Sequence, residues 1–479
     1  MESSSVDWDT RVIEYVPEFT TTYSPEVGEK ATLRDLLSHS TGLAPLLLAI
    51  MGKNQAILPR HEDIVHVCRK LPFLARFRSE WEYNNWPYAL AAHILEIRSE
   101  HSWQSHVHRI LKALRMDRSF TTNPDDDNIA RGYKVFNDGR MSEDGLPLLK
   151  AGDAFDGSGS LRSCVNDMIT WCKVLIQAMR TQPSIGDNSE AAGPPNVASV
   201  AIEPSHGLAK DSVLKALRTA TQPQFPLAKD SRQAYGLGLF SFHLPTCEIN
   251  TATNYHAPEM MKGYTLGADS SPMVVVGHTG ELGSFTSAYW TFPKTESAVI
   301  VMTNASSTYG DPSNIVAQVL IQALFEMQPA IDYEKLASGV VVEAKAKWQE
   351  VFDAWSARRK VGTQPRELTG YVGTYTSTDL RITLSISTIN GNAENPLRLC
   401  INGLPDQNFD LYHYHLDTWT FLPKSHDHSL EMGIGHYLSR WETFNISFDR
   451  LAAGTFQGVT WPLDLDPRAG PQVFSRVGA

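Results

Sequence analysis

Tyr83, Asn84 and Asn85 stand together in the segment WEYNNWPYALAAHILE and offer one phenol and two amides. A phenol can exchange a proton with a bound molecule, and an amide can hold a polar group or cap a helix. The apolar residues that follow recur at helical spacing, which predicts a helix with Asn85 as its N-cap and Pro87 in its first turn. On this local interpretation Tyr83 is a packing residue whose hydroxyl reaches water.

A second polar group, His278-Thr279-Gly280, lies inside an apolar, β-branched stretch. The segments MVVVGHTG, SFTSAYWTF and SAVIVMTN are predicted to be strands, and the turn PKTE joins the last two. An imidazole and backbone N–H groups on such a strand could hold an oxygen on which negative charge develops.

The elements that would position these residues divide the chain into three parts. Residues 1–330 are predicted to form a mixed α/β domain that is mainly helical at first and changes to strands from AYGLGLF (234–240) onward. Residues 331–365 contain a polar, amphipathic helical connector. Residues 366–479 have short strands separated by turn residues, which predicts a small antiparallel barrel or sandwich.

The composition and net charge of the chain argue against some classes of binding partner. The chain has 479 residues and a net charge of −11, which argues against nucleic acid and anionic membranes. The longest apolar run is too short for a membrane span, and the polar, acidic first residues do not read as a signal peptide. Five cysteines lie far apart, without a Cys-x-x-Cys pair. We therefore expect a cytoplasmic protein that binds a small molecule, and composition leaves the oligomeric state open.

Several histidines resemble metal ligands in their spacing. His413 and His415 alternate with tyrosines on a predicted strand, and a further pair lies in HDH (426–428). A solvated or hydrogen-bonded strand face explains them without a metal. His106 and His108 diverge on a helix because they are two residues apart. We expect no metal and no cofactor.

Three segments stand in a characteristic order: KATLRDLLSHSTGL, EYNNWPYAL and VVVGHTGELGSFTSAYWTFP. Taken together, they resemble the serine β-lactamase and penicillin-binding-protein superfamily, in particular its class C-like esterases, peptidases and acyltransferases. Further matches occur in the same order as in the family, among them GSGSLRSCVNDMITW, YGLGLF, IVMTNAS and LTGYVGTY. The resemblance implies a helical half and an antiparallel sheet, followed by the C-terminal β domain.

The resemblance also implies roles for the two polar groups. Tyr83 stands where the family has the tyrosine of Tyr-x-Asn, a general acid/base, and Asn85 stands at the substrate-binding asparagine. Residues 278–280 stand at the family's Lys/His-Thr-Gly, so His278 would be catalytic and Thr279 and Gly280 would bind substrate. We expect Tyr83 and His278 to line one cleft.

The family's nucleophilic Ser-x-x-Lys motif is not found before the first matching segment. Ser212 and Lys215, in SVLK, have the right spacing but lie between the second and third segments, so we do not expect Ser212 to be the nucleophile. Ser40 and His39 lie in what resembles a structural turn, and His39 is expected to hold that turn. The nucleophile is therefore unknown, and the chain is either an incomplete form of a longer protein or one in which other residues fill the missing helix's place.

These observations predict an enzyme of β-lactamase type that acts on a small carbonyl compound such as an ester, a lactone or a secondary metabolite. Without a serine, its chemistry would be non-covalent acid/base catalysis of hydrolysis, isomerisation or cyclisation. The alternatives are a non-catalytic binding protein and a truncated pseudoenzyme.

Overall fold

The structure is a computed structural model, and it describes residues 6–123, 127–147, 152–180, 210–229, 231–250, 263–306, 310–437 and 440–478. The helices are α1 (Val12–Tyr15), α2 (Pro25–Lys30), α3 (Leu33–Leu37), α4 (Leu47–Ile50), α5 (Ile64–Cys68), α6 (Asn85–Ser99), α7 (Trp103–Ala113), α8 (Asp156–Gly159), α9 (Val165–Arg180), α10 (Lys210–Thr221), α11 (Pro312–Leu324), α12 (Tyr333–Arg358) and α13 (His426–Glu431). None of these described helices combines the length and apolar character needed to cross a bilayer.

The strands fall into three groups. The first group is a small sheet in the order β2-β1-β9, made of β1 (Gly132–Val135), β2 (Met141–Asp144) and β9 (Ala305–Ser306). The second is an antiparallel sheet in chain order, made of β3 (Phe225–Pro226), β4 (Ala234–Tyr235), β5 (Phe240–Leu244), β6 (Met273–Leu282), β7 (Phe285–Phe292) and β8 (Ser297–Thr303). The third is a closed barrel of β10 (Gly373–Ser377), β11 (Ile382–Thr388), β12 (Leu397–Ile401), β13 (Asn408–His415), β14 (Thr418–Thr420), β15 (Asn445–Ala452), β16 (Thr455–Trp461) and β17 (Gln472–Arg476).

The strand–turn–strand pattern around residues 273–303 is confirmed. Strands β6 and β7 form a hairpin whose turn needs Gly283, because the backbone there has a φ of +60°. Strand β5 pairs with β6 only as far as the Phe240–Gly277 pair. The edge of β6 from His278 to Leu282 therefore has no strand partner on the β5 side within the described residues.

The barrel and the connector helix α12 are also confirmed, and the barrel alternative replaces the sandwich. One detail differs. The register of β13 shifts between His413 and His415, so that Tyr414 is buried and stacks on His415. Strict alternation of histidines and tyrosines on opposite faces was therefore wrong here, because a bulge inserts a residue that a period of two cannot anticipate.

The mainly helical prediction for the first part of the chain missed the hairpin of β1 and β2. Each strand is four residues long, and β2 is largely exposed, so neither carries an apolar alternation. β1 also pairs with β9, which lies about 170 residues further along the chain by the Tyr133–Ala305 register. This sheet depends on tertiary pairing rather than on local pattern.

The barrel and the helical half share one hydrophobic core. Buried side chains of α1 to α6 and of the barrel strands belong to a single continuous cluster. Polar contacts join the same faces: the backbone N–H of Leu46 donates to Asp464 Oδ2 at 2.6 Å, and the N–H of Lys53 donates to Gln407 Oε1 at 2.7 Å. The segment from Leu46 to Leu58 is therefore covered by the barrel.

Candidate active site

The N-cap of helix α6 is Asn84, one residue before Asn85, which the sequence predicted as the cap. Oδ1 of Asn84 accepts from the N–H of Trp86 at 2.9 Å, and its Nδ2 donates to the carbonyls of Leu43 and Ala44 at 2.9 and 3.1 Å. Asn84 is fully buried and has an extended backbone, as an N-cap should. The prediction that Asn85 is the cap was therefore wrong, since only Asn84 also finds two carbonyls to bind.

Asn85 is the first residue of α6 and is half-buried. It lines a small pocket together with Ile50 and Phe155. Its side-chain amide makes no hydrogen bond within the described residues. This pocket is too small to admit a water molecule, and it borders a different group of residues from Tyr83.

Tyr83 lies at the exposed rim of a ring cluster that consists of His39, Trp81, Tyr83, Tyr88, Tyr235, Phe240 and His278. The Tyr83 ring lies 4.5 Å from that of His39 and 6.3 Å from that of His278, measured between centroids. Packing removes water from the phenolate and raises the pKa of Tyr83 to about 12, although 41% of the residue stays exposed. Its hydroxyl has no hydrogen-bond partner in the described part of the chain, so at neutral pH it is a proton donor without an acceptor.

His278 is held by two hydrogen bonds that fix its tautomer. Nδ1 contacts the carbonyl oxygen of Thr279, which can only accept, so Nδ1 carries the proton. Nε2 then accepts from the hydroxyl of Tyr235 at 2.9 Å. Burial lowers the pKa of His278 and keeps the ring neutral. The neutral ring has no N–H left for a substrate oxygen, which corrects the expectation that His278 itself would hold an oxyanion.

His39 is the site residue that sequence reasoning underrated. The N–H of Asn84 donates to its Nδ1 at 3.2 Å, which confirms that His39 holds the turn and leaves the proton on Nε2. The ring is 1% exposed, and burial together with nearby His278 keeps its pKa well below the ordinary value. Nε2 has no hydrogen-bond partner within the described ranges, and neither does Nε1 of Trp81 in the same cluster.

Tyr235 was also missed as a site residue, although the motif YGLGLF that contains it was noted. Its ring lies 4.9 Å from that of His39 and 5.8 Å from that of His278. Burial and the neighbouring Tyr88 raise its pKa well above the ordinary value, so it remains a hydrogen-bond donor. Tyr88 in turn donates to the carbonyl of Leu37 at 2.6 Å.

Thr279 and Gly280 follow His278 along the open edge of β6. Thr279 is buried and pairs with Ala288 of β7, and Gly280 pairs with Ser287. A Cβ at position 280 would come within 2.9 Å of Ser287 Oγ, so a larger residue there would require the Ser287 side chain to shift. The backbone groups of this edge have no β5 partner in the described residues, and the ring of His278 at its start lies 6.3 Å from that of Tyr83.

The two serines considered from the sequence lie in structural settings. Ser40 is 2% exposed, and its hydroxyl contacts Oδ1 of Asp35 at 3.3 Å; Arg78 binds the same carboxylate. Ser212 lies on α10, which packs against α9 with Leu214 buried between them. Neither serine belongs to the ring cluster.

A cavity of about 1090 Å³ opens where β6 ends. Its wall combines Glu281, Gly283 and Ser284 of the β6–β7 hairpin with the segment 53–57 and barrel residues such as Gln407. Glu281 is exposed to solvent on one side, but the protein around its carboxyl desolvates it and, with a smaller effect of Asp311, raises its pKa to about 7. The cavity is of the size that proteins use for small ligands, and it begins about 10 Å along the strand from His278.

Comparison with known proteins matches two family models to the chain. The one described as Beta-lactamase covers residues 1–323, and a domain of unknown function (DUF3471) covers residues 357–476. An unguisins hydrolase of Aspergillus violaceofuscus is 25% identical over 178 residues, which are 36% of this chain and 31% of that protein. The chain thus spans less than a third of this curated relative.

Solved structures of similar fold have low sequence identity. The octameric penicillin-binding protein homologue from Pyrococcus abyssi is 17% identical, with a TM-score of 0.47, over 98% of this chain and 83% of its own. A class C beta lactamase from Rhodobacter sphaeroides is 16% identical, with a TM-score of 0.45, over 67% of this chain and 78% of its own.

Proposed function

The chain belongs to the beta-lactamase family, whose members are mostly hydrolases, and we propose that it hydrolyses a small carbonyl compound such as an ester or a lactone. The observation that carries this proposal is a pair of buried donors without a partner in the described residues, Nε2 of His39 and Nε1 of Trp81, next to the exposed ring of Tyr83. Folded proteins pair nearly all buried polar atoms. Unpaired donors on two neighbouring rings, whose centroids lie 5.9 Å apart, favour a ligand that brings oxygen acceptors.

Tyr83, His39 and Trp81 all carry a proton at neutral pH, which suits catalysis by proton and hydrogen-bond donation. The N–H groups of His39 and Trp81 are covered in this structure, and once uncovered they can hold the carbonyl oxygen while water attacks the carbon and a new C–O bond forms. When the bond to the alkoxy oxygen breaks, Tyr83 protonates that oxygen. The proton released by the attacking water passes to solvent, from which Tyr83 regains one. The products are a carboxylic acid and an alcohol, and no serine ester forms.

The open edge of β6 and the cavity beyond it provide room for the rest of the substrate. Backbone groups from His278 onward can bind an extended portion, and the cavity beside Glu281 can hold a bulky one. A secondary metabolite of moderate size fits this arrangement. The matched relative is named for unguisins, so unguisins are among the compounds to try.

We place this activity in the cytoplasm. All five cysteines are free thiols, and two of them, Cys68 and Cys172, are buried within the helical half. Free thiols are the usual state in a reducing compartment.

The test is hydrolysis of a panel of aryl esters, alkyl esters and lactones by the purified full chain. Wild type should turn over at least one compound, and Tyr83→Phe should lose activity by about 10²–10⁴-fold. Tyr23→Phe is the matched control because Tyr23 is 49% exposed and lies outside the ring cluster. Full activity of the Tyr83 variant would contradict the proposal.

A binding protein without turnover is the second candidate. It is favoured by His278, whose two ring nitrogens are both occupied within the protein. In that case a compound from the panel would bind with a measurable heat and remain intact after long incubation.

A further inference from the structure

Two histidines and a glutamate meet beside the C-terminal half of α6, whereas the ring cluster lies at the N-terminal end of this helix. Nε2 of His61 lies 2.9 Å from Oε2 of Glu96 and 3.3 Å from Nδ1 of His93. Each of the three residues offers one potential ligand atom, and no two of these atoms are more than 4.8 Å apart. His61 begins the 3-10 turn His61–Asp63, so two separate elements supply the group.

We propose that His61, His93 and Glu96 bind a divalent cation of the zinc type. Two imidazoles and one carboxylate form a common zinc ligand set that leaves a fourth position for water. Zinc–nitrogen bonds of about 2.0–2.1 Å at a tetrahedral angle place two nitrogens about 3.4 Å apart. The observed 3.3 Å between the His61 and His93 nitrogens matches that separation.

The helix fixes two of the three ligands. His93 and Glu96 are three residues apart on α6, so their side chains project from the same face. Oε1 of Glu96 accepts from the backbone N–H of Trp103 at 2.8 Å, at the start of α7. This bond orients the carboxylate and leaves Oε2 directed at the histidines. Metal ligands in proteins are commonly oriented by such hydrogen bonds to the surrounding residues.

The surroundings suit a cation. The side chains of His61 and Glu96 are 28% and 16% exposed, so an ion and its water can enter. Glu18 acts on His93 electrostatically, and Asp156 and Glu96 act on each other, which adds negative potential. Nδ1 of His61 has no hydrogen-bond partner within the described ranges, so the protein does not lock this ring in one tautomer.

The proposed site is separate from the ring cluster. Tyr83 precedes α6, and His93 lies eight residues beyond Asn85, the first residue of that helix, which is about 12 Å along the helix axis. A bound cation would join the turn at residues 61–63 to α6 and, through Glu96, to α7. Its expected role is to stabilise the helical half rather than to take part in proton transfer at Tyr83.

The experiment uses the full chain, stripped with a chelator, dialysed and titrated with zinc chloride in a calorimeter. We expect one zinc per chain and a raised melting temperature in its presence, since a ligand that binds the folded state stabilises it. Cobalt(II) should give the visible absorption of a tetrahedral site with nitrogen and oxygen ligands. Glu96→Gln and His93→Ala should each weaken zinc binding at least tenfold.

Two controls make the result decisive. Glu96→Gln retains an acceptor for Trp103 and is expected to fold, so its loss of affinity would report the ligand itself. His108→Ala removes an exposed histidine of α7 and should leave zinc affinity unchanged. The proposal is overturned if wild type binds no stoichiometric zinc, or if His93→Ala and Glu96→Gln bind it as tightly as wild type. Hydrolytic activity does not enter this test, so it stands independently of the function proposed above.

Discussion

The hydroxyl of Tyr235 donates a hydrogen bond to Nε2 of His278 at 2.9 Å, and this bond determines which groups of the site can face a substrate. With Nδ1 bound to Thr279, His278 has neither a free proton nor a free lone pair. In the function we propose, proton donation is therefore assigned to Tyr83, and binding of an oxyanion is assigned to His39 and Trp81.

Tyr83→Phe should reduce turnover more than His278→Asn. Phenylalanine keeps the ring packing but removes the proton donor, for an expected loss of about 10²–10⁴-fold. Asparagine at position 278 keeps a polar side chain that can still contact Tyr235. Steady-state kinetics of both variants against wild type provide the comparison, and unchanged melting temperatures are the control for folding. A larger loss for His278→Asn would reverse the assignment.

Ionisation of Tyr83 should cause no loss of activity between neutral pH and about pH 10. The pKa of Tyr83 is raised to about 12, so the phenol keeps its proton throughout this range. An acid catalyst is active below its pKa and fails above it. Measurement of kcat from pH 6 to 10.5 checks this, and a steep fall near pH 8 that disappears in Tyr83→Phe would show a much lower pKa.

The full chain should form no covalent acyl-enzyme through serine. Ser40 is buried in hydrogen bonds with Asp35, and Ser212 packs on α9 outside the ring cluster. Intact-protein mass spectrometry after incubation with a fluorophosphonate or a β-lactam should show the unmodified mass. A stoichiometric adduct that peptide mapping assigns to Ser40 or Ser212 would refute this.

Asn84→Ala should destabilise the protein by about 2–4 kcal/mol, whereas Asn85→Ala should change stability by less than about 1 kcal/mol. The first change removes the helix cap and leaves the buried carbonyls of Leu43 and Ala44 without their donor. The second affects an amide without a hydrogen bond in the described structure. Urea denaturation of the two variants, with equal m-values, measures the difference. Equal losses of stability in the two variants would contradict the assignment of Asn84 as the cap.

Glu281→Gln should become relatively more stable than wild type as pH rises. The folded-state pKa of Glu281 is raised from 4.5 to about 7, so between these values the folded protein binds more protons than the unfolded chain. Stability of wild type therefore falls as pH increases through this window. Melting temperatures of the two proteins should be close at pH 4.5 and should separate, in favour of the variant, at pH 8. No separation would mean that Glu281 ionises as it does in water.

Much of the fold was predictable because its elements have strong local patterns. The hairpin of β6 and β7, the long helix α12 and the barrel strands follow from alternation, length and turn residues. The ordered motifs also placed Tyr83 near His278, and the structure brings their rings to 6.3 Å. What these residues do remains a prediction.

The parts that sequence inspection missed depend on contacts between distant residues. Asn84 and Asn85 are identical neighbours, and only the carbonyls of Leu43 and Ala44 distinguish the true cap. His61 lies 32 residues from His93, so no spacing rule links them, and the expectation of no metal rested on other histidines. The donors left unpaired in the ring cluster likewise depend on how four separate segments pack.

The common core of the barrel and the helical half has a consequence for how the protein unfolds. Leu46 and Lys53 hydrogen-bond to Asp464 and Gln407, and apolar side chains from both halves fill one continuous cluster. We therefore expect the two stretches of sequence that match separate family models to unfold together rather than as two folding units. Removal of the barrel would strip one wall from the cavity beside Glu281 and uncover the segment from Leu46 to Leu58, so calorimetry of the intact chain should record a single cooperative melting transition.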